Sequence, residues 1–296
     1  MSKRTVQILL FIAAIGLFSS QAAQAQLFSQ PAYRGPKTLM HWAGHEPSDE
    51  PEDPNARIIT DRPHFAEAAT TVGLGRVQIE TGYSYYLDRE NGTKVATHSF
   101  PETLFRVGIF REWFEFRFGY NYFGEFTNDA AGNRSKAWGS DDIYLGAKIA
   151  LTEQAGILPE LTVFPQMRVP TGSSQFTSGE PLPGMNFVYA WMLTDRLELE
   201  ANTNVNRRLD PTFDHYYNEF LQTINFEYDL CEKVMLFNEF IIFAPSGALT
   251  ARAQYYEHAG MHYFIRPNLQ LDFHGAVGLN QGADNFFGGA GLCWRW

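Results

Sequence analysis

"LELEANTNVNR" (residues 197–207) sets Leu197, Leu199, Ala201, Thr203 and Val205 in strict alternation with Glu198, Glu200, Asn202, Asn204 and Asn206. A period of two over this length is a β-strand with one apolar and one polar face. Two architectures use such a strand. In a soluble sandwich the apolar face is buried and the polar face meets bulk water. In a membrane barrel the apolar face meets lipid and the polar face lines a lumen.

The neighbouring stretches decide between them. In "VQIETGYSY" (77–85) Val77, Ile79, Thr81, Tyr83 and Tyr85 oppose Gln78, Glu80, Gly82 and Ser84. In "FEFRFGYNYF" (114–123) a row of Phe114, Phe116, Phe118, Tyr120 and Tyr122 opposes Glu115, Arg117, Gly119 and Asn121. On a soluble sheet such a row invites aggregation. In lipid it is what the wall requires, with ring-rich ends forming interfacial girdles. "NLQLDFHGAVGL" (268–279) repeats the pattern, with Leu269, Leu271, Phe273 and Val277 opposing Gln270, Asp272 and His274.

Twelve strand candidates follow: about 76–87, 99–110, 113–123, 142–151, 159–169, 185–193, 197–207, 216–230, 234–243, 253–264, 268–280 and 284–296. Many are longer than the 5 to 6 residues typical of soluble strands, and they match the 9 to 11 tilted residues that cross a bilayer. Short links at 111–112, 194–196, 231–233 and 265–267, with a longer one at 152–158, alternate with long links at 88–98, 124–141, 170–184, 208–215 and 244–252. Only the short link near 281–283 breaks the series. Tight turns at one end and longer loops at the other are the pattern of an outer-membrane barrel. The terminal "GLCWRW" (291–296) puts Leu292, Trp294 and Trp296 on one face, an outward aromatic strand end of the kind the barrel assembly machinery reads. The expected fold is therefore all-β: a transmembrane antiparallel up-and-down barrel of about twelve strands over residues 73–296, closed because lipid tolerates no unpaired sheet edge.

The N-terminus reads as a cleavable signal peptide over 1–25, with Lys3 and Arg4, an apolar run from Val6 to Phe18, and Ala23-Gln24-Ala25 as the cleavage site. Its apolar run falls well short of the roughly 20 residues of a spanning helix. Residues 26–58, with the acidic, Pro-rich "HEPSDEPEDPNAR" (45–57), read as a flexible periplasmic leader in which His41 and His45 are solvated. Charged residues make up 19 %, against about 25 % in soluble domains. The net charge of −10 speaks against a nucleic-acid partner. Cys231 falls in a turn and Cys293 on a strand that is not its neighbour, so no disulfide is expected.

"ITDRPHFAEAATTVGLGRVQIETGYSY" (59–85) resembles the opening signature of the meta-pathway phenol degradation family of transporter-like outer-membrane proteins: a Thr-Asp-Arg-Pro element at Thr60–Pro63, then Gly75, Arg76, Gln78, Glu80, Gly82 and Tyr83. "LFRVGI" (104–109), "SDDIYLGAK" (140–148, with Ser140-Asp141 where Gly is usual), "VPTG" (169–172) and "NLQLDFHGAVGLN" (268–280) follow in order. The resemblance implies an outer-membrane barrel with a transport role for small, apolar or aromatic molecules. It supplies neither a substrate nor catalytic residues.

By strand phase the lumen-lining candidates include Glu80, Glu102, Arg106, Glu115, Arg117, Asp142, Lys148, Glu198, Glu200, Asn202, Asp272 and His274, with further charges at Glu160, Arg168, Glu219, Glu227 and Arg295. Acids outnumber bases. Either they make a cation-preferring pathway, or they pair into a rigid filling. Residues 59–72 read as a family signature segment able to fold into the lumen as a partial plug, with Asp61 and Arg62 meeting lumen charges. His258 and His262, four apart on one strand, stand about 13 Å apart and cannot share a metal. No metal site or cofactor is expected. The expected function is passive diffusion of a small solute through a narrow charged lumen in the outer membrane, with membrane lipid as the barrel's surroundings. The alternatives are a lipid-acting barrel enzyme, for which no Gly-x-Ser-x-Gly elbow is present, and a structural, adhesive or soluble β-protein.

Overall fold

The structure, a computed structural model, describes residues 35–44, 56–210 and 212–296. The signal peptide, His45 and most of the leader lie outside the described residues.

Thirteen strand segments are present among the described residues: β1 (Val77–Glu90), β2 (Thr93–Gly108), β3 (Phe114–Asn128), β4 (Arg134–Ser140), β5 (Ile143–Thr152), β6 (Glu160–Val169), β7 (Leu182–Thr194), β8 (Leu197–Asp210), β9 (His215–Cys231), β10 (Val234–Ser246), β11 (Gln254–Arg266), β12 (Leu269–Gly278) and β13 (Phe286–Arg295). Each pairs antiparallel with its sequence neighbour, apart from β4 and β5, which do not pair with each other. β1 also pairs with β13, joining the first strand to the last and closing the sheet. β4 pairs with the upper part of β3 (Tyr122–Asn128) and β5 with its lower part (Phe114–Gly119), so these two segments form one stave interrupted at Asp141-Asp142. Thirteen segments thus make a closed barrel of twelve staves.

Both chain ends of the barrel, Val77 and Arg295, lie at the same rim, called here the near end. The far end is built differently from the expected long loops. The stretch 88–98 is a hairpin closed by Asn91-Gly92, both at positive φ (51° and 80°), the chemistry of a tight two-residue turn. The stretch 124–141 is likewise mostly strand, since β3 runs on to Asn128 and β4 returns from Arg134. Polar strand that projects beyond an apolar band carries no apolar alternation, so periodicity cannot separate it from loop.

On β10 Glu239 points inward and is fully buried, while Asn238 faces out and donates from Nδ2 to Glu257 Oε1 at 2.8 Å. On β2 the ladder skips between Ser99 and Glu102, where Pro101 has no N–H to donate, and both Ser99 and Glu102 thereby face inward.

The outer wall is apolar and exposed: Phe116, Phe187, Ile224, Phe226, Leu236, Phe273, Val277 and Leu292 all lie on it. Trp294 and Trp296 pack together at the near rim with ring centroids 4.7 Å apart and planes tilted by 41°. The buried residues are on the opposite face, and the most buried side chains include Arg106, Arg117, Lys148, Glu80 and Glu115. A charged interior under an apolar exterior is the inversion that a bilayer demands of a spanning barrel.

Candidate functional site

Residues 58–72 pass through the interior without regular secondary structure. Their backbone has no ladder to join, so its polar groups need other partners. Charged wall side chains supply them. Glu80 (β1) accepts from the N–H of Asp61 at 3.0 Å and of Arg62 at 2.8 Å. Glu239 (β10) accepts from Phe65 N at 3.0 Å and from Ala66 N. Glu115 (β3) accepts from Val72 N at 2.9 Å. In return Lys148 (β5) donates to Ala68 O at 2.8 Å, Arg106 (β2) to Thr70 O at 3.1 Å and Gln78 (β1) to Ile59 O at 2.8 Å.

The inserted side chains match the wall in sign. Asp61 meets three cations: Arg117 Nη2 at 2.9 Å, Arg106 Nη1 at 3.1 Å and Lys148 Nζ at 3.2 Å. Burial opposes its charge, but Arg106, Lys148 and Arg117 more than offset that and hold the carboxyl well below the usual range. Arg62, the next residue, reaches two acids, Glu102 Oε2 at 2.8 Å and Asp272 Oδ1 at 3.4 Å. Its guanidinium occupies space left by Gly82 and Gly291, which face each other across β1 and β13. Glu67 pairs with Arg117.

A second half of the site is apolar. Phe65 packs against Phe243, Phe287 and His258 at centroid distances of 5.8, 5.7 and 6.1 Å. Ala69 packs with Phe164, Val188 and Ala190. The Arg117 and Lys148 cations sit over the Phe164 ring at 5.0 and 5.5 Å. Phe164, Phe237 and Phe287 occupy inward positions that the charge pattern does not single out.

The predicted lumen residues thus divide. Glu80, Arg106, Glu115, Arg117, Lys148 and Asp272 form one network with Asp61 and Arg62. Glu102 joins it through Arg62 and Ser84. Asp142 lies instead at the break between β4 and β5, where it accepts from Gly172 N, Ser178 N and Ser178 Oγ and holds the 170–181 link. His274 joins the pair His258–Glu239, with 3.0 Å between His258 Nε2 and His274 Nδ1. Glu198 and Glu200 stand on β8 opposite Glu227 and Asn225 of β9. Asn202, on β8, is fully buried, and neither its amide oxygen nor its nitrogen has a protein partner; the same holds for Asn186 on β7.

Several of these contacts reach beyond the expected boundaries. Ile58 and Arg57, assigned to the flexible leader, are tied to the near rim. Ile58 N donates to Pro267 O at 2.6 Å, and Arg57 pairs with Asp229 at 2.6 Å. Leu39 N and Met40 N donate to Ala150 O and Leu151 O. Cys231 is exposed at the end of β9, Cys293 is buried on β13, and both are free thiols.

A model of the family described as "Putative MetA-pathway of phenol degradation" matches residues 60–296, from the inserted Thr-Asp-Arg-Pro element to the last residue. The chain belongs to this family. Among solved structures, the COG4313 outer-membrane channel of Pseudomonas putida F1 is similar to this family member, with a TM-score of 0.58 at 12 % identity, covering 76 % of this chain and 97 % of that one. The transport unit of the autotransporter AIDA-I of Escherichia coli is similar at a TM-score of 0.50 and 11 % identity, covering 75 % and 89 %. At these identities the likeness is one of fold. No curated protein matches the sequence. In this member of the phenol degradation family, a cavity of about 230 Å³ adjoins the inserted segment, lined by Arg62, Glu67, Glu102, Asn121, Tyr144 and Arg168 among others.

Proposed function

We propose that this protein is a passive outer-membrane channel for a small solute, and that residues 58–72 act as its plug. The supporting observation is the contrast between the two sides of the lumen. On the side of β1, β2, β3 and β5 every charge of the network is engaged by the inserted segment or by another wall residue. On the side of β7 and β8 the buried amides of Asn186 and Asn202 have no protein partner. A strip of neutral amides offers hydrogen bonds to water and solute without holding an ion, which suits permeation. The 230 Å³ cavity lies on the other side, against β2, β3 and β5, and exceeds the order of 150 Å³ that admits a benzene ring. Its mixed guanidinium, carboxylate and tyrosine lining fits a single ring that carries polar groups. The family resemblance points to the same solute class.

The near end then faces the periplasm, where the leader emerges, and the hairpins of the far end face outward. Transport needs no chemistry: the segment leaves its pairs, the path widens, and solute diffuses down its gradient. Planar-bilayer conductance of the refolded chain tests the reading. The intact protein should show rare or small steps, and removal of residues 26–72 should give a larger, steady conductance. Equal conductance with and without these residues rejects the plug. A barrel that stays silent after their removal rejects the channel.

A further inference from the structure

Four carboxylates of the β8–β10 side, Glu198, Glu200, Glu227 and Glu239, are not met by the cationic residues of the main network. Glu198 and Glu227 stand directly opposite each other across β8 and β9, a like-charge placement that destabilises a sheet unless something of opposite sign intervenes. The nearby fixed cation, Arg57, is already paired with Asp229. What meets Glu227 is His64 of the inserted segment, whose Nε2 lies 2.7 Å from Glu227 Oε1 without the geometry of a hydrogen bond. His262 of β11 faces the same point, with its ring centroid 5.6 Å from that of His64.

We infer that His64, Glu227 and His262 form a binding site for a borderline divalent transition cation such as Zn²⁺. The three side chains are buried, and one ligand atom from each lies within 4.8 Å of the others. A tetrahedral site asks for about 3.3 Å between ligand atoms bound at about 2.0 to 2.1 Å, so small side-chain rotations close it. The outer partners have the arrangement that metal histidines require. His64 Nδ1 contacts Ala66 O, which keeps a proton on Nδ1 and turns Nε2 toward Glu227, where a bound cation takes the place of any proton between the two. Asn225 Nδ2 lies 3.3 Å from both Glu227 Oε1 and Glu200 Oε2, steadying the carboxylate. His262, 1 % exposed, makes no hydrogen bond of normal geometry from either ring nitrogen, although the Gln270 amide lies beside it. Two imidazoles and one carboxylate suit Zn²⁺, Ni²⁺ or Cu²⁺ and leave a position for water, whereas Ca²⁺ and Mg²⁺ seek more oxygen ligands.

The three ligands come from the inserted segment, β9 and β11. A bound cation therefore ties the segment to the wall, and on the channel reading it holds the plug in place.

The test uses the full chain refolded in detergent, with folding checked by heat-modifiable electrophoretic mobility. Co²⁺ is titrated while its visible absorption is followed, and is then displaced by Zn²⁺. The expected result is one equivalent per chain with intense tetrahedral bands. His262→Gln and Glu227→Gln should each weaken binding at least tenfold, while the double variant His41→Ala, His215→Ala should leave it unchanged. His64→Gln lies on the inserted segment and not on a stave, so it keeps the test open if a wall variant fails to fold. A folded wild-type chain that binds no Co²⁺, or binding that survives His64→Gln and His262→Gln, overturns the site. Conductance is recorded separately with Zn²⁺: binding by a barrel that never conducts would keep the site and reject the channel.

Discussion

Asp61 Oδ1 lies 3.2 Å from the buried Lys148 Nζ, across the gap between a segment with no secondary structure and the wall of the barrel. Arg106 and Arg117 reach the same carboxylate. Removing one partner of a buried, hydrogen-bonded ion pair costs about 3–5 kcal/mol because the other charge is left uncompensated. Asp61→Ala takes the paired carboxylate from Lys148, whereas Arg106 keeps Glu80 and Glu115 and Arg117 keeps Glu67. That variant should shift the docked segment toward release by roughly two to four orders of magnitude, and bilayer recordings should show frequent openings where wild type shows few.

Arg62 gives a steric counterpart. A Cβ on Gly291 would stand 2.5 Å from Arg62 Nε, with Asp272 and Thr81 close on its other sides. Gly291→Ala should therefore expel the guanidinium from between Glu102 and Asp272, with a local shift of β13 away from the Thr81 carbonyl, 2.8 Å from the new Cβ on the paired strand. The expected outcome is a normally folded barrel whose inserted segment becomes open to added protease, read by cleavage between residues 59 and 72.

Phe65 tests the apolar half independently of charge. Burial of a Phe among Phe243, Phe287 and His258 is worth about 3–5 kcal/mol against Ala. Phe65→Ala should raise open probability to an extent comparable with Asp61→Ala. Because the two residues contact different walls, the double variant should be close to additive. Conductance of all four forms completes the cycle.

Acid should not open the channel readily. Asp61 has its carboxyl lowered in the folded state, so its contribution is present above its unfolded value of about 3.9 and fades only as pH falls through the lower folded value. Glu67 moves the other way: burial raises it against the pull of Arg117. Because its folded-state value is raised, protonating Glu67 as pH falls favours the docked state and leaves the Asp61 pairs in place. Conductance at about pH 4 to 5 should match that at pH 7. A sharp rise in that window would show that Asp61 is not the controlling pair.

The two thiols report on orientation. Cys231 is exposed beside the short link at the near end and Cys293 is sealed on β13. A membrane-impermeant maleimide should label Cys231 in spheroplasts with a permeabilised outer membrane, leave intact cells unlabelled, and spare Cys293 in both.

The sequence carried the barrel in its alternation, because a bilayer imposes one chemical rule on every outward position from Phe116 to Leu292. The same alternation put Glu80, Arg106, Glu115, Arg117 and Lys148 in inward phase, where they are buried. It did not reveal their partners. Glu80, Glu115 and Glu239 look alike by phase to acids that line an open pathway, yet each accepts backbone N–H groups of residues 58–72. Such contacts join positions far apart in the chain and follow no period. Phe287 and Phe164 were hidden because an aromatic in inward phase breaks the polar pattern only once per strand. His64 was hidden because the partners that give it meaning, Glu227 and His262, lie on β9 and β11. The Asn91-Gly92 turn was legible as turn chemistry but sat inside a stretch too polar to read as strand.

The inserted segment is fastened on both sides of its passage: Ile58 N to Pro267 O where it enters, and Gly75 N to Gly108 O where it leaves. On the plug reading proposed above, a stopper held at both of its ends cannot be lost to the medium. Its return after each release is an intramolecular event, so reclosing speed depends on loop length and not on how many copies the cell makes. Such a gate needs no partner protein to reset it, and one missing anchor would turn a reversible closure into a trailing strand.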